Sequence, residues 1–133
     1  MSIFVLDASV AVAWLLGEDT APRADAVLAR LEGDEALVPH LWHLEVHNSL
    51  LVASRRRRLA AVQPMERLNA VRDLPIRTDT EPDLSIAFAL AERHGLSFYD
   101  AIYLELAKRH AAPIATLDKA LDRAAAGEGL PAF

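Results

Sequence analysis

Four acidic residues lie in or directly after apolar stretches of the sequence, where a carboxylate is unusual: Asp7, Glu45, Asp100 and Asp118. A carboxylate in apolar surroundings costs free energy unless a base, backbone N–H groups or a metal ion compensates it. Carboxylates that converge without cations repel one another, and this repulsion raises their pKa values. A hard divalent cation such as Mg²⁺ or Mn²⁺ removes the conflict, because it prefers oxygen ligands. The four acids are therefore candidate ligands of a divalent metal ion.

Each acid also has a structural interpretation. Asp7 and Asp118 follow short apolar runs, so each could end a strand or cap the helix that follows. Asp100 fits the last position of a capping box that begins at Ser97. Glu45 could point to solvent at the edge of a sheet. From the residues alone, the structural and the metal-binding interpretations both stand.

The elements that would position these acids follow from apolar periodicity. Short apolar runs predict strands over 3–6, 36–38 and 113–117, while 76–78 is either a minimal strand or a connector. Helices are predicted over about 10–16, 22–32, 41–58, 64–72, 84–94, 98–109 and 121–126. The tail 127–133 could add an edge strand. This alternation without hairpin turns predicts an α/β fold with a parallel sheet and helices on both faces.

The predicted sheet places Asp7 and Asp118 at the carboxyl ends of two strands, where open α/β sheets bind their ligands. A phospho-acceptor signalling domain has a similar sheet with acids at strand ends. That class requires an adjacent acidic pair after an early strand, and Asp7 is followed by Ala8. The pattern therefore disfavours a phospho-acceptor domain.

Composition sets the protein class. The chain has 133 residues, of which 53% are hydrophobic and 25% charged, which predicts a single globular domain over 1–133. It contains no cysteine, so disulfides, thiolate catalysis and cysteine metal sites are excluded. The net charge of −5 disfavours non-specific coating of nucleic acid, but not a nucleic-acid enzyme. With no long apolar run and no signal-peptide pattern, we expect a cytoplasmic protein without membrane association.

Two further patterns are open to a functional interpretation. His43 and His47 are spaced to bind zinc on one helix face, but Glu45 lies about 200° around the helix from each. This spacing differs from the metalloprotease pattern, in which Glu follows the first His directly. The run Arg55-Arg56-Arg57-Arg58 is interpreted as a solvated helix end, or alternatively as a clamp for phosphate or for an acidic partner segment.

Four segments resemble, in order and in spacing, the four motif blocks of the PIN-domain family: Leu6-Asp7-Ala8-Ser9, Trp42 to Asn48, Phe98-Tyr99-Asp100-Ala101 and Ala115-Thr116-Leu117-Asp118. The sequence is most similar to the VapC-like ribonuclease toxins of prokaryotic type II toxin–antitoxin pairs, over nearly the whole chain. The resemblance implies a three-layer α/β/α fold with a central parallel sheet of about five strands. It also implies a hydrolase, an endoribonuclease dependent on Mg²⁺ or Mn²⁺.

The resemblance further implies a role for individual residues. The catalytic and metal-binding acids would be Asp7, Glu45, Asp100 and Asp118, supported by the polar side chains of Ser9, Asn48 and Thr116, with Asp122 as a possible further acid. The implied partners are an RNA substrate and a VapB-like antitoxin whose C-terminal segment occupies the cleft. We also expect a homodimer within a toxin–antitoxin hetero-oligomer. The alternative is a non-catalytic PIN-fold module that binds protein or RNA.

Overall fold

The computed structural model describes residues 2–17, 22–56 and 64–133. Within these ranges the sheet has four parallel strands: β1 (Ile3–Leu6), β2 (Glu35–Pro39), β3 (Ile76–Asp79) and β4 (Ile114–Ala115). Their order is β3-β2-β1-β4, so the strand that precedes Asp7 is central. The segment 76–78 is thus part of a strand and not a connector. The sequence led us to expect about five strands, and the described part of the chain has four.

The tail is the place where a fifth strand was expected. A helix, α7 (Lys119–Gly127), extends into this segment. Pro131 has no N–H to donate to a neighbouring strand, and the ring of Phe133 packs edge-on against that of Phe4, with 5.1 Å between centroids. The guanidinium of Arg30 lies 4.7 Å from the Phe133 centroid. Side-chain packing therefore holds the tail, and the prediction of an edge strand at 127–133 was wrong.

Six further helices are described: α1 (Ala8–Leu16), α2 (Pro22–Arg30), α3 (His40–Arg55), α4 (Pro64–Arg72), α5 (Leu84–His94) and α6 (Phe98–His110). Their bounds agree closely with those predicted from periodicity. Gly17 and Gly95 end α1 and α5 in the left-handed conformation, at φ of 65° and 64°, which glycine adopts at little cost. Arg57 and Arg58, the second half of the arginine run, lie outside the described residues.

The central strand β1 forms the middle of the core. Phe4, Val5 and Leu6 are buried, as expected for an apolar run covered on both faces of a sheet. Helix α1 packs against α2, α3 and α4, while α6 packs against α5, α7 and strands β1, β2 and β4. Helices thus flank a parallel sheet, and the predicted α/β class is confirmed. In the described ranges, no helix is both long enough and apolar enough to cross a membrane.

Candidate active site

The four acids singled out in the sequence line one open cavity of about 400 Å³. Asp7 follows β1, Glu45 lies on α3, Asp100 lies in the first turn of α6, and Asp118 directly precedes α7. Four separate elements therefore each deliver one carboxylate to the same space. The other lining residues are small, apolar or hydroxyl-bearing: Ala8, Ser9, Val12, Ala13, Ser49 and Leu117.

Asp7 is the most buried of these acids, with 6% of its surface exposed. Its Oδ2 accepts hydrogen bonds from Ser9 Oγ and Thr116 Oγ1, each at 2.7 Å. Burial raises the pKa of Asp7, the two hydroxyl bonds oppose that rise, and the neighbouring Asp118 adds to it. Its side chain makes no capping hydrogen bond to α1. Asp7 therefore occupies the N-cap position of α1 without capping the helix through its side chain.

The two hydroxyls beside Asp7 also connect it to the turn after β4. The backbone N–H of Leu117 donates to Ser9 Oγ, and that of Asp118 donates to Thr116 Oγ1, both at 3.0 Å. Each hydroxyl has a single hydrogen, which is committed to the Asp7 carboxylate. The network therefore holds Asp7 from α1, through Ser9, and from the turn after β4, through Thr116. Ser9 and Thr116 therefore both contact Asp7 directly.

Glu45 is half-buried and is held from a third element. The hydroxyl of Tyr103 on α6 donates to Glu45 Oε1 at 2.6 Å. Burial raises the pKa of Glu45, as do the nearby carboxylates of Asp7 and Asp100, while the Tyr103 bond lowers it. Glu45 does not simply point to solvent. Tyr103 was not among the residues singled out in the sequence, although a buried tyrosine hydroxyl usually requires a hydrogen-bond partner.

Asp100 and Asp118 both lie at helix starts, as their structural interpretations predicted. The backbone N–H of Asp100 donates to Ser97 Oγ at 3.1 Å. Oδ1 of Asp118 accepts from the backbone N–H groups of Ala120 and Leu121, at 2.8 and 3.3 Å. Burial raises the pKa of Asp100, and so do Asp7 and Asp118. Capping and cavity lining are therefore compatible at these two positions.

Two residues implied by the resemblance lie away from the cavity. Asn48 is exposed, and the α3 residue that lines the cavity one turn after Glu45 is Ser49. Asp122 is exposed, with its Oδ1 3.8 Å from an Arg23 guanidinium nitrogen. The spacing of four from Glu45 to Ser49 is as compatible with a shared helix face as the spacing of three to Asn48, so sequence could not separate them.

The histidine pair on α3 contacts other groups. Nε2 of His43 lies 2.8 Å from Thr78 Oγ1, and Nδ1 of His47 donates to the His43 carbonyl oxygen. Neither residue lines the cavity of the four acids. Burial and the neighbouring imidazoles of His40 and His47 lower the pKa of His43.

The donor set of the cavity fits a hard cation. Its titratable lining groups are all carboxylates, and no described lysine or arginine lines it. In this conformation, no three Asp, Glu or His side chains of the described residues are close enough to hold one ion together. Mg²⁺ keeps several of its waters and commonly takes only one or two carboxylates directly. A hydrated ion therefore suits this arrangement, with further acids reached through water or by side-chain rotation.

Comparison with known proteins gave a consistent result. The family model for the PIN domain matches residues 4–127. Ribonuclease VapC3 from Pyrobaculum aerophilum is 31% identical over 121 residues, which cover 88% of this chain and 90% of that protein. The crystal structure of PAE2754 from Pyrobaculum aerophilum has a TM-score of 0.67 at 24% identity, covering 92% of this chain and 84% of that one. That of FitAcB from Neisseria gonorrhoeae has a TM-score of 0.62 at 20% identity, covering 95% and 94%.

Proposed function

This chain belongs to the PIN-domain family, and from that premise we propose that it is an endoribonuclease requiring Mg²⁺ or Mn²⁺. We propose further that it is the toxin of a type II toxin–antitoxin pair and acts in the cytoplasm. The observation that carries the proposal is the cavity that Asp7, Glu45, Asp100 and Asp118 line together. The 31% identity to a protein named as a ribonuclease supports the choice of RNA as substrate.

The site residues have distinct parts in this proposal. Asp7 and Asp100 would hold the cation, with Glu45 and Asp118 contacting it directly or through water. A bound Mg²⁺ or Mn²⁺ would supply an activated water and would neutralise charge on the phosphate. Ser9 and Thr116 favour the ionised form of Asp7, against the effect of burial, and restrain its orientation, because each donates a hydrogen bond to its Oδ2. The acids alone would repel an RNA phosphate, so the cation is also a condition of substrate binding.

A protein partner is part of the proposal. We propose an antitoxin whose C-terminal segment inserts an arginine beside Asp7 and Asp100, since a guanidinium pairs bidentately with carboxylates. Its apolar residues would pack in the groove between α3 and α4, a cavity of about 230 Å³. Trp42, Leu68, Val71 and Ile76 supply the apolar lining of the groove, and His43, His47 and Arg72 complete it. A helix laid into this groove would supply most of the affinity.

The test is cleavage of RNA by the purified protein with Mn²⁺, with EDTA, and after substitution. Asp7→Asn and Asp100→Asn should each reduce the rate by more than about 100-fold while the fold is retained. Asp73→Asn is the matched control, because Asp73 is an exposed acid that does not line the cavity. Cleavage that survives EDTA and both substitutions would contradict the proposal.

Binding of Mn²⁺ separates the enzyme from the non-catalytic alternative. Mn²⁺ at about 100 times its dissociation constant should stabilise the wild-type protein by about 2.7 kcal/mol, and Asp7→Asn should abolish most of this effect. A protein that neither binds Mn²⁺ nor cleaves RNA would instead be the binding module.

A further inference from the structure

Tyr103 is a buried residue whose hydroxyl reaches the proposed active site. Its exposed surface is 0%, and its hydroxyl donates to Glu45 Oε1 at 2.6 Å across 58 positions of sequence. The backbone of Ala8, at the start of α1, also interacts with this hydroxyl. The hydroxyl therefore lies where the start of α1, the middle of α3 and the body of α6 meet.

Glu45 differs from Asp7 and Asp118 in how its carboxylate is fixed. Two hydroxyls donate to the Asp7 carboxylate, and two backbone N–H groups at the start of α7 donate to the Asp118 carboxylate. Glu45 lies within α3 on the longest of the four acidic side chains. In the described part of the chain, Tyr103 makes its one side-chain hydrogen bond. Without that bond, the Glu45 carboxylate would lack its described hydrogen-bond partner, and the long side chain would be less restricted.

We infer that Tyr103 is a positioning residue of the proposed metal site: by donating to Glu45 Oε1, it would hold the Glu45 carboxylate in the acid cavity, where it could contact a cation. The inference rests on the proposed function and deepens it. A hydrogen bond from a neutral hydroxyl to a carboxylate is stronger than one between neutral groups, so it can hold a flexible side chain in one orientation. Groups that orient metal ligands commonly change metal affinity or activity by 10- to 100-fold when they are removed.

The first experiment measures the Mn²⁺ dissociation constant by titration calorimetry. Tyr103→Phe removes the hydroxyl and keeps the ring, and it should raise the dissociation constant by about 10- to 100-fold. Tyr99→Phe is the matched control on the same helix, because Tyr99 is 60% exposed. Its dissociation constant should equal that of the wild type. RNA cleavage by Tyr103→Phe should recover at higher Mn²⁺, as a defect in metal affinity requires.

A double substitution distinguishes positioning from a general effect on packing. If Tyr103 acts through Glu45, Tyr103→Phe should not weaken Mn²⁺ binding further in a protein that already carries Glu45→Ala, which removes the acceptor of the Tyr103 bond. An equal loss in both backgrounds would overturn the inference, as would wild-type affinity in Tyr103→Phe. Thermal unfolding of each metal-free variant establishes that the compared proteins are folded.

A spectroscopic measurement needs no change at the site itself. The chain has two tyrosines, so Tyr99→Phe leaves Tyr103 as the single tyrosine. Addition of Mn²⁺ to this variant should shift the near-ultraviolet tyrosine absorption, because the strength of the hydroxyl–carboxylate bond changes when Glu45 contacts the ion. Binding of Mn²⁺ without such a shift would contradict the positioning role of Tyr103 but leave the proposed function intact. Wild-type protein that binds no Mn²⁺ would refute the proposed function, and the inference with it.

Discussion

Thr116 donates a hydrogen bond to Asp7 Oδ2 at 2.7 Å across 109 positions of sequence. The bond joins the ends of two neighbouring parallel strands, β4 and β1. Thr116 is fully buried and Asp7 nearly so. If this hydrogen bond were lost, bulk water could not easily take the place of the missing partner. The Thr116 hydroxyl also accepts the backbone N–H of Asp118. A single hydroxyl thereby fixes Asp7 and satisfies the turn that carries Asp118.

Removal of this hydroxyl should therefore destabilise the protein. Thr116→Val has nearly the same shape, but it leaves the Asp118 N–H without its partner and Asp7 with one donor fewer. We expect a loss of about 1–3 kcal/mol in the free energy of unfolding. Thr116→Ser keeps the hydroxyl and is the control. Urea unfolding at neutral pH checks the result, and equal stabilities of the two variants would contradict it.

The acid cavity should give the metal-free protein an unusual dependence on pH. The pKa values of Asp7, Glu45 and Asp100 are raised, in each case first by burial. A carboxyl group with a raised pKa keeps its proton longer in the folded state than in the unfolded chain. Its stabilising contribution is present at low pH and is lost as the pH rises from about 4 through the raised pKa values. The Tm of the metal-free protein should fall over this window.

Mn²⁺ should reverse this trend, because it binds the ionised carboxylates. The difference in Tm between samples with and without Mn²⁺ should therefore grow as the pH rises over the same window. Asp7→Asn should reduce both the fall and the Mn²⁺ effect. Melting curves recorded from about pH 4 to about pH 8 make the comparison. A difference in Tm that is independent of pH would contradict the cation-binding interpretation of these acids.

The contribution of Glu128 to stability should depend on pH in the opposite direction. Arg93, His94 and Lys108 all contact its carboxylate, whose side chain is 6% exposed. Hydrogen bonds from Lys108 and then His94 lower the pKa of Glu128 from 4.5 to about 2. The stabilising contribution of a lowered pKa is present above the ordinary value, and it is lost as the pH falls toward about 2.

Glu128→Gln should therefore remove part of the acid sensitivity and cost stability at neutral pH. Because the side chains of Arg93 and Lys108 are more than a third exposed, solvent screens these bonds, and a loss of about 1 kcal/mol is expected. Glu92→Gln is the control, since Glu92 is an exposed acid next to Arg93. Unfolding curves at neutral pH and near pH 3 test both statements. An acid transition unchanged by Glu128→Gln would show that other carboxylates cause it.

Sequence reasoning could predict the elements that place the site, but not the contacts between them. The apolar run before Asp7 predicts a buried strand, and parallel strands bring their carboxyl ends to one edge, so Asp7 and Asp118 had to be close. The bond between Tyr103 and Glu45 depends on how α3 and α6 pack, which neither helix encodes alone. The choice between Asn48 and Ser49 depends on a rotation of about 100° around α3.

The strand count failed for a related reason. A tail of seven residues carries too little periodicity to distinguish pairing with a neighbouring strand from side-chain packing. In the tail, the outcome was decided by Phe133 meeting the ring of Phe4. That contact joins the last residue of the chain to its first strand, so no local pattern could indicate it.

The last prediction concerns control by the proposed antitoxin. A partner helix in the groove between α3 and α4 would contact His47, which lines that groove and is exposed. His47→Glu places a charge where apolar partner residues should pack, and we expect it to weaken binding by at least about 10-fold, since a desolvated unpaired charge is costly. Cleavage of RNA by the free variant should be unchanged, because His47 lies outside the acid cavity. Ala29→Glu, at an exposed position on α2, is the control and should bind the partner normally.

Binding is measured with the product of a neighbouring small gene, followed by a nuclease assay of the complex. A complex that cleaves RNA as fast as the free protein would refute occlusion of the site by the partner arginine. Undiminished binding by His47→Glu would instead place the partner on a different surface.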